Sequence, residues 1–323
     1  MFFKEATSGD NNPIFYLMTI VAVIFAYFLG SLPLVGLQLF MVKKNSNIGK
    51  EEVDQFFETM DFSILGVHSN IGLIFMILTF IFAFLAFMLC VKYLHKRPFL
   101  NIITPKSTIN WKKIFFGFGL WFLISLIMEG GSILLNPDHY YMNFKPLSLI
   151  VLVLICLVFL PFQTSMEEFF LRGYIMPGIG LVTKNKWIPW VLSSVIFGII
   201  HGSNPEVEKF GFWTMQLYYI GAGLFLGAIT IMDDSLELAL GVHAATNFFG
   251  AAIFSFDGSV LQTDSLVKAS QINPLMMSLT FFIGAVVFIY ICSKKYNWKG
   301  WSSIMEDIDT SKDTNKILIN NSI

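Results

Sequence analysis

Thr164-Ser165-Met166-Glu167-Glu168-Phe169-Phe170-Leu171-Arg172-Gly173-Tyr174 places two carboxylates and a guanidinium directly after the apolar run 147–162. A charge at the centre of a membrane helix costs about 2.5–3.5 kcal/mol even on insertion scales, so such residues normally face a bundle interior and find a partner there. On a helix Glu168 and Arg172 stand four apart on one face, where they can pair, while Glu167 points about 100° away. One glutamate reads as structural and the other as available.

The rest of the chain supplies the membrane setting. Of its 323 residues 55% are hydrophobic and 13% charged, with a mean hydropathy of +0.67. Soluble domains carry about a quarter charged residues. The expected fold class is therefore an all-α polytopic membrane protein whose main surroundings are the lipid bilayer. The net charge of −1 leaves no basic stripe to neutralise a run of phosphates, which argues against a nucleic-acid partner. Cys90, Cys156 and Cys292 all lie in apolar runs without CxxC or Cys/His spacing, and read as packing residues.

About eight transmembrane helices are expected, at 14–40, 71–93, 114–135, 147–162 and onward into the Glu-Glu segment, 187–201, 212–232, 236–254 and 274–293. The fifth is short enough to be tilted or re-entrant. Pro177 and Gly178 are expected to end or kink the fourth. The polar stretch 43–61 carries five acids and reads as a surface helix, and Asp233-Asp234 as a tight turn. Gly221, Gly223 and Gly227 form a small-residue face suited to close helix packing.

Lys and Arg set the expected orientation. With the N-terminus, the 92–113 loop, the 184–186 loop and the tail inside, 14 of the 21 basic residues fall on the cytoplasmic side. Both termini are expected there. No repeat or low-complexity tract divides the chain, which reads as residues 1–146 with about three spans, a polar core over 147–254, a final span within 255–293 and a cytoplasmic polar tail, 294–323, disordered near its end.

Three more intramembrane polar groups follow the Glu-Glu segment: His201, closing Phe197-Gly198-Ile199-Ile200-His201, and His243 with Asn247 in His243-Ala244-Ala245-Thr246-Asn247. The four-residue spacing puts His243 and Asn247 on one helix face. A carboxylate with two imidazoles can activate water as a general base with orienting donors, or as a metal site formed by Glu167, His201 and His243 with an open position. The Asn amide is a poor metal ligand but suits an oxyanion. Each piece has a bland counterpart: a lone membrane His is more often a helix–helix hydrogen bonder, the Glu168/Arg172 pair a brace, and Phe197 packing. Glu129 and Glu237 are further carboxylates in apolar context; Glu237, beside a turn, is expected to be solvated. The joint occurrence of the set on successive late spans is what separates it from the bland readings.

Glu167-Glu168-x-x-x-Arg172, Phe197-x-x-x-His201 and His243-x-x-x-Asn247, in that order, resemble the CPBP family, which includes the CaaX proteases and the bacteriocin-processing or immunity proteins also called Abi. The resemblance covers about residues 147–254. It implies an intramembrane endopeptidase acting on membrane-associated peptides or proteins, in which Glu167 activates water with His201, His243 and Asn247 stabilise the oxyanion, and Glu168, Arg172 and Phe197 hold or orient the helices. Naming of the family as metalloproteases implies Zn²⁺; a metal-free, glutamate-dependent route is the other account. A non-catalytic membrane protein of the same fold, serving peptide immunity, transport or partner binding, is the alternative function. Symmetric halves with broken helices, a pointer to transporters, are absent from the sequence pattern.

Overall fold

Backbone N–H and C=O groups find no partner in hydrocarbon, so apolar runs close their own hydrogen bonds as helices. In the computed structural model, which describes residues 1–308, these are α1 (Pro13–Lys44), the surface helix α2 (Lys50–Thr59), α3 (Ser69–Tyr93), α4 (Trp111–Leu135), α5 (Pro146–Glu168), α6 (Met176–Thr183), α7 (Trp187–Ile200), α8 (Phe212–Asp233), α9 (Glu237–Phe248) and α10 (Pro274–Tyr296). Local sequence sets several starts. Asn12 accepts the Ile14 N–H at 3.1 Å ahead of Pro13, and Asn273 accepts the Leu275 N–H at 3.0 Å ahead of Pro274. Both pair an Asn cap with a proline whose missing N–H the first turn does not need.

Among the described residues six helices are long and apolar enough to cross a membrane: α1, α3, α4, the continuous rod Pro146–Thr183, α8 and α10. The chain is thus a multi-pass membrane protein, but two of the eight expected spans fall short. At 14 residues α7 reaches only about 21 Å, and α9 has 12 residues before a π turn, Phe249–Ile253. Of the end or kink expected at Pro177, the end does not occur. A π-helical turn, Phe169–Ile175, joins α5 to α6, and Pro177 sits in the first turn after it, so the rod runs on to Thr183.

The loops gather at two ends. At the terminal end the Phe2 N–H donates to Asp234 Oδ1 (2.7 Å), Asp10 to the His95 carbonyl (2.7 Å), Leu236 to the Ile103 carbonyl (2.8 Å) and Ile308 to the Lys184 carbonyl (2.9 Å). The turn at Asp233-Asp234 is as expected, with Asp234 left-handed at φ +55°. Glu237 corrects an expectation: it is fully buried, because the chain before α4 folds over it and donates the Asn110 N–H to its Oε1 at 2.7 Å. Ile304 and Ile308 are buried here too. The disorder expected near the end of the tail falls on residues 309–323, outside the described residues.

At the other end, the sheet end, three short strands add to the helical expectation: β1 (Tyr140–Met142), β2 (Phe254–Phe256) and β3 (Val267–Ala269), in the order β1-β3-β2. β1 runs antiparallel to β3 with Tyr140 opposite Ala269, and β2 runs parallel with Phe254 opposite Val267. Side chains tie the 257–266 segment down: Glu206 accepts the Val260 N–H at 2.7 Å, Lys145 meets Asp264 at 2.7 Å, and Gln262 donates to the Thr59 carbonyl.

α8 is the central helix, with 78% of its apolar window buried against 11–33% for the other five. Its small-residue face permits this: a Cβ on Gly223 would stand 2.8 Å from the Ser194 Cα of α7. Gly241 does the same for α9, where a Cβ would stand 2.1 Å from the Ile114 carbonyl oxygen of α4. The polar residues of α5, α7 and α9 are thereby brought around one helix. Cys156 and Cys292 are buried and Cys90 half-buried, all three as free thiols.

Candidate active site

Glu167 and Glu168 end α5, His201 caps α7, and His243 stands in the middle of α9. Residues 34 and 76 positions beyond Glu167 are brought to one point. Oε2 of Glu167 lies 3.7 Å from Nε2 of His201 and 3.8 Å from Nε2 of His243. The side chains of Glu167 and His201 keep 9% and 18% exposure, whereas Glu168 and Arg172 have none. The centre is therefore layered, with a reachable carboxylate and imidazole above a sealed ion pair.

The sealed layer is the expected pair with one member more. Arg172 Nη1 donates to Glu168 Oε1 at 2.9 Å, and Nη2 to the Gly223 carbonyl at 3.3 Å. The same Glu168 oxygen lies 2.7 Å from Nδ1 of His243. Glu168 therefore joins α5 to α9 as well as bracing its own helix. Helix periodicity gives the i,i+4 pair but no sign of the cross-helix contact. The Arg172 guanidinium also lies over the Phe197 ring, 4.4 Å from its centre.

Phe197 is more than packing. Its ring centre is 4.3 Å from that of His201, and Tyr219 of α8 stacks on the other neighbourhood of the same imidazole at 4.7 Å and 29°. The Tyr219 hydroxyl accepts from Asn204 Nδ2 at 3.0 Å. Aromatic rings set the plane of His201 while a hydrogen bond sets its rotation, since Nδ1 lies 2.7 Å from the Phe197 carbonyl. Tyr219 and Asn204 have no motif spacing to Glu167 and are not visible in the sequence. Asn247 is half-buried on α9, and among the described residues its amide takes no hydrogen bond.

These contacts fix the tautomers. A carbonyl and an ionised carboxylate only accept, so both Nδ1 atoms carry hydrogen, and in the neutral rings both Nε2 atoms present lone pairs toward Glu167. Glu167 Oε2 is itself shielded, with no hydrogen-bond partner among the described residues. Three acceptors facing one another are satisfied by a shared proton, by a water, or by a cation. The donor set fits a divalent ion such as zinc, with Glu168 orienting His243 and a carbonyl orienting His201 from behind. The separations exceed the roughly 3.3–3.4 Å between ligands of a tetrahedral zinc shell with 2.0–2.1 Å bonds. Accordingly no group of three or more His, Cys, Asp or Glu is closed into a metal shell among the described residues.

Comparison with known proteins gives a family match over the helices that carry these residues. Residues 146–249 match the family described as Rce1-like, type II CAAX prenyl endopeptidase Rce1-like, and the match spans α5 to α9. The chain is 30% identical over 290 residues to YyaK of Bacillus subtilis (strain 168), described as an uncharacterized protein, covering 89% of this chain and 93% of that one. No solved structure matches the chain.

Proposed function

This chain belongs to the CPBP family, the membrane proteins that include the CaaX proteases, and on that premise we propose that it is an intramembrane endopeptidase cleaving membrane-associated peptides or proteins. The observation that carries the reading is the convergence of Glu167 Oε2 with the Nε2 atoms of His201 and His243 at 3.7 and 3.8 Å. The reacting water takes its place among these three acceptors. Glu167 removes its proton while the oxygen attacks the scissile carbonyl, and His201, held in plane by Phe197 and Tyr219, keeps the water oriented. The carbonyl π electrons move onto oxygen, and the Asn247 amide donates to that oxyanion.

Glu168 gives His243 its part. A carboxylate hydrogen-bonded to Nδ1 stabilises the imidazolium, so His243 can take the proton from Glu167 on Nε2 and present it to the oxyanion as a second donor. When the C–N bond breaks, that proton passes back through Glu167 to the leaving nitrogen, and the centre returns to its starting state. A zinc ion, held by Glu167, His201 and His243, would supply Lewis acidity at the same carbonyl. We place the terminal end in the cytoplasm, because Lys4, Lys96, Lys106, Lys184 and Lys186 all belong to its segments.

The test is incubation of purified protein, in detergent or liposomes, with a library of amphipathic peptides and mass spectrometry of the products. Wild type is expected to yield defined fragments, and Glu167→Gln and His201→Ala to lose at least about 10²-fold in turnover while remaining folded. Wild-type protein that is folded and yields no fragment removes the protease reading in favour of a non-catalytic membrane protein.

A further inference from the structure

The polar face of α5 does not stop at Glu167. One turn toward the sheet end stands Gln163, and residues four apart share a helix face at about 5–6 Å. Its Oε1 is shielded from solvent and has no hydrogen-bond partner among the described residues. The neighbouring Thr164 shows how the bundle treats a polar group that is only structural: its hydroxyl donates to the Leu160 carbonyl at 3.1 Å. Gln216 of α8 does likewise, donating to the Gly198 carbonyl at 2.9 Å. Gln163 Oε1 and Glu167 Oε2 are two shielded acceptors in line on one face, each lacking a hydrogen bond from the described chain.

We propose that Gln163 is a substrate-binding residue whose Oε1 accepts a main-chain N–H of the peptide being cleaved, which lays the substrate backbone along α5 from Glu167 toward the sheet end. The inference rests on the protease reading and specifies the substrate's conformation. A helical turn of about 5.4 Å is close to the roughly 6.6–6.8 Å spanned by two residues of extended chain. The N–H taken by Gln163 therefore belongs to a residue about two positions from the scissile bond. Inside a helical substrate that N–H is already bonded four residues back, so the acceptor selects a segment that is extended or unwound at the cleavage site.

The experiment uses a peptide that wild type cleaves and a series of its analogues, each with one backbone N–H near the scissile bond replaced by an ester oxygen. Gln163→Met keeps the side chain's length and removes the acceptor. One ester position is expected to lower kcat/KM of wild type about tenfold, the worth of one hydrogen bond. Gln163→Met is expected to lose a similar factor on the parent peptide and nothing further on that ester. Its unfolding temperature in detergent should equal or exceed that of wild type, since a shielded acceptor has been removed. Wild-type activity in Gln163→Met, losses that multiply with every ester, or an unfolding temperature that falls along with activity would each overturn the proposal and leave the protease reading intact. Absence of cleavage by wild type removes both.

Discussion

Nδ1 of His243 and Oε1 of Glu168 lie 2.7 Å apart, although the two residues stand on different helices and the same oxygen already receives Arg172 at 2.9 Å. The second acid of the Glu-Glu pair thus has two partners, one bracing its own helix and one reaching the candidate catalytic histidine. Removing one member of a buried charged pair strands the other at a cost of about 3–5 kcal/mol. Arg172→Ala is therefore expected to unfold at markedly lower temperature in detergent, and Glu167→Gln to unfold close to wild type. Equal unfolding temperatures for the two variants would show that Arg172 does not brace Glu168.

Tyr219 is expected to act through His201. Tyr219→Phe keeps the stacked ring and should retain most activity, while Tyr219→Leu removes one wall of the imidazole's setting. The loss in Tyr219→Leu should fall on kcat, about tenfold or more, with little change in KM, because a misoriented imidazole leaves the attacking water misplaced, which impairs the chemical step more than substrate binding. A loss confined to KM in steady-state cleavage assays would place Tyr219 at the substrate instead.

Glu206 gives a pH signature. Burial raises its pKa above the ordinary carboxylate value, against the opposing hydrogen bond from the Val260 N–H. The folded state then binds the proton more tightly than the unfolded state, whose value is about 4.3. Stability is greatest at low pH and declines as pH rises from about 4.3 through the raised folded value. Glu206→Gln keeps an acceptor for Val260 without the charge, so its unfolding temperature should vary less across that window. Parallel pH profiles for the two proteins would count against a buried, proton-binding Glu206.

Zinc held by Glu167, His201 and His243 would stabilise the folded state by mass action. On the zinc account, added zinc raises the unfolding temperature of wild type and of Asn247→Ala and leaves His243→Ala unmoved; no rise in any of the three supports the metal-free route. An identical rise in all three would place the ion elsewhere.

The membrane class, the order of the helices and the polar set were legible because each is local. Hydropathy over about 20 residues marks a span, and four-residue spacing marks a helix face. That is how Glu168 with Arg172 was visible, and why Glu168 with His243 was not, since the second pair depends on where α9 lies against α5. Tyr219 and Asn204 were hidden for the same reason. At α7 and α9 the helices are shorter than the apolar runs suggest, because composition reports apolarity and the helix ends are set by the turns on either side. Glu237 was misjudged because a turn in sequence implies water only when no other segment covers it, and here the chain leading to Asn110 does. The continuation of the helix past Pro177 is not legible in sequence, since the π turn before it leaves no compositional trace.

That π turn divides one rod into two rotational frames. Each residue of an α-helix advances about 100°, and a single extra residue in the wider turn shifts the phase of everything after it. Arg172 and Tyr174 lie within the turn and answer to different neighbours: Arg172 faces Glu168 and Gly223 in the interior, and Tyr174 meets the buried His95 at 2.7 Å and stacks on Tyr16 at 4.7 Å. Loss of one residue from Phe169–Ile175 would return the rod to a single phase. Glu167 and Glu168 would keep their heading, while the segment beyond would swing by about a quarter turn and leave His95. The length of this short interval thus sets the bearing of Glu167 and Glu168 against the end of the molecule where both described termini are anchored.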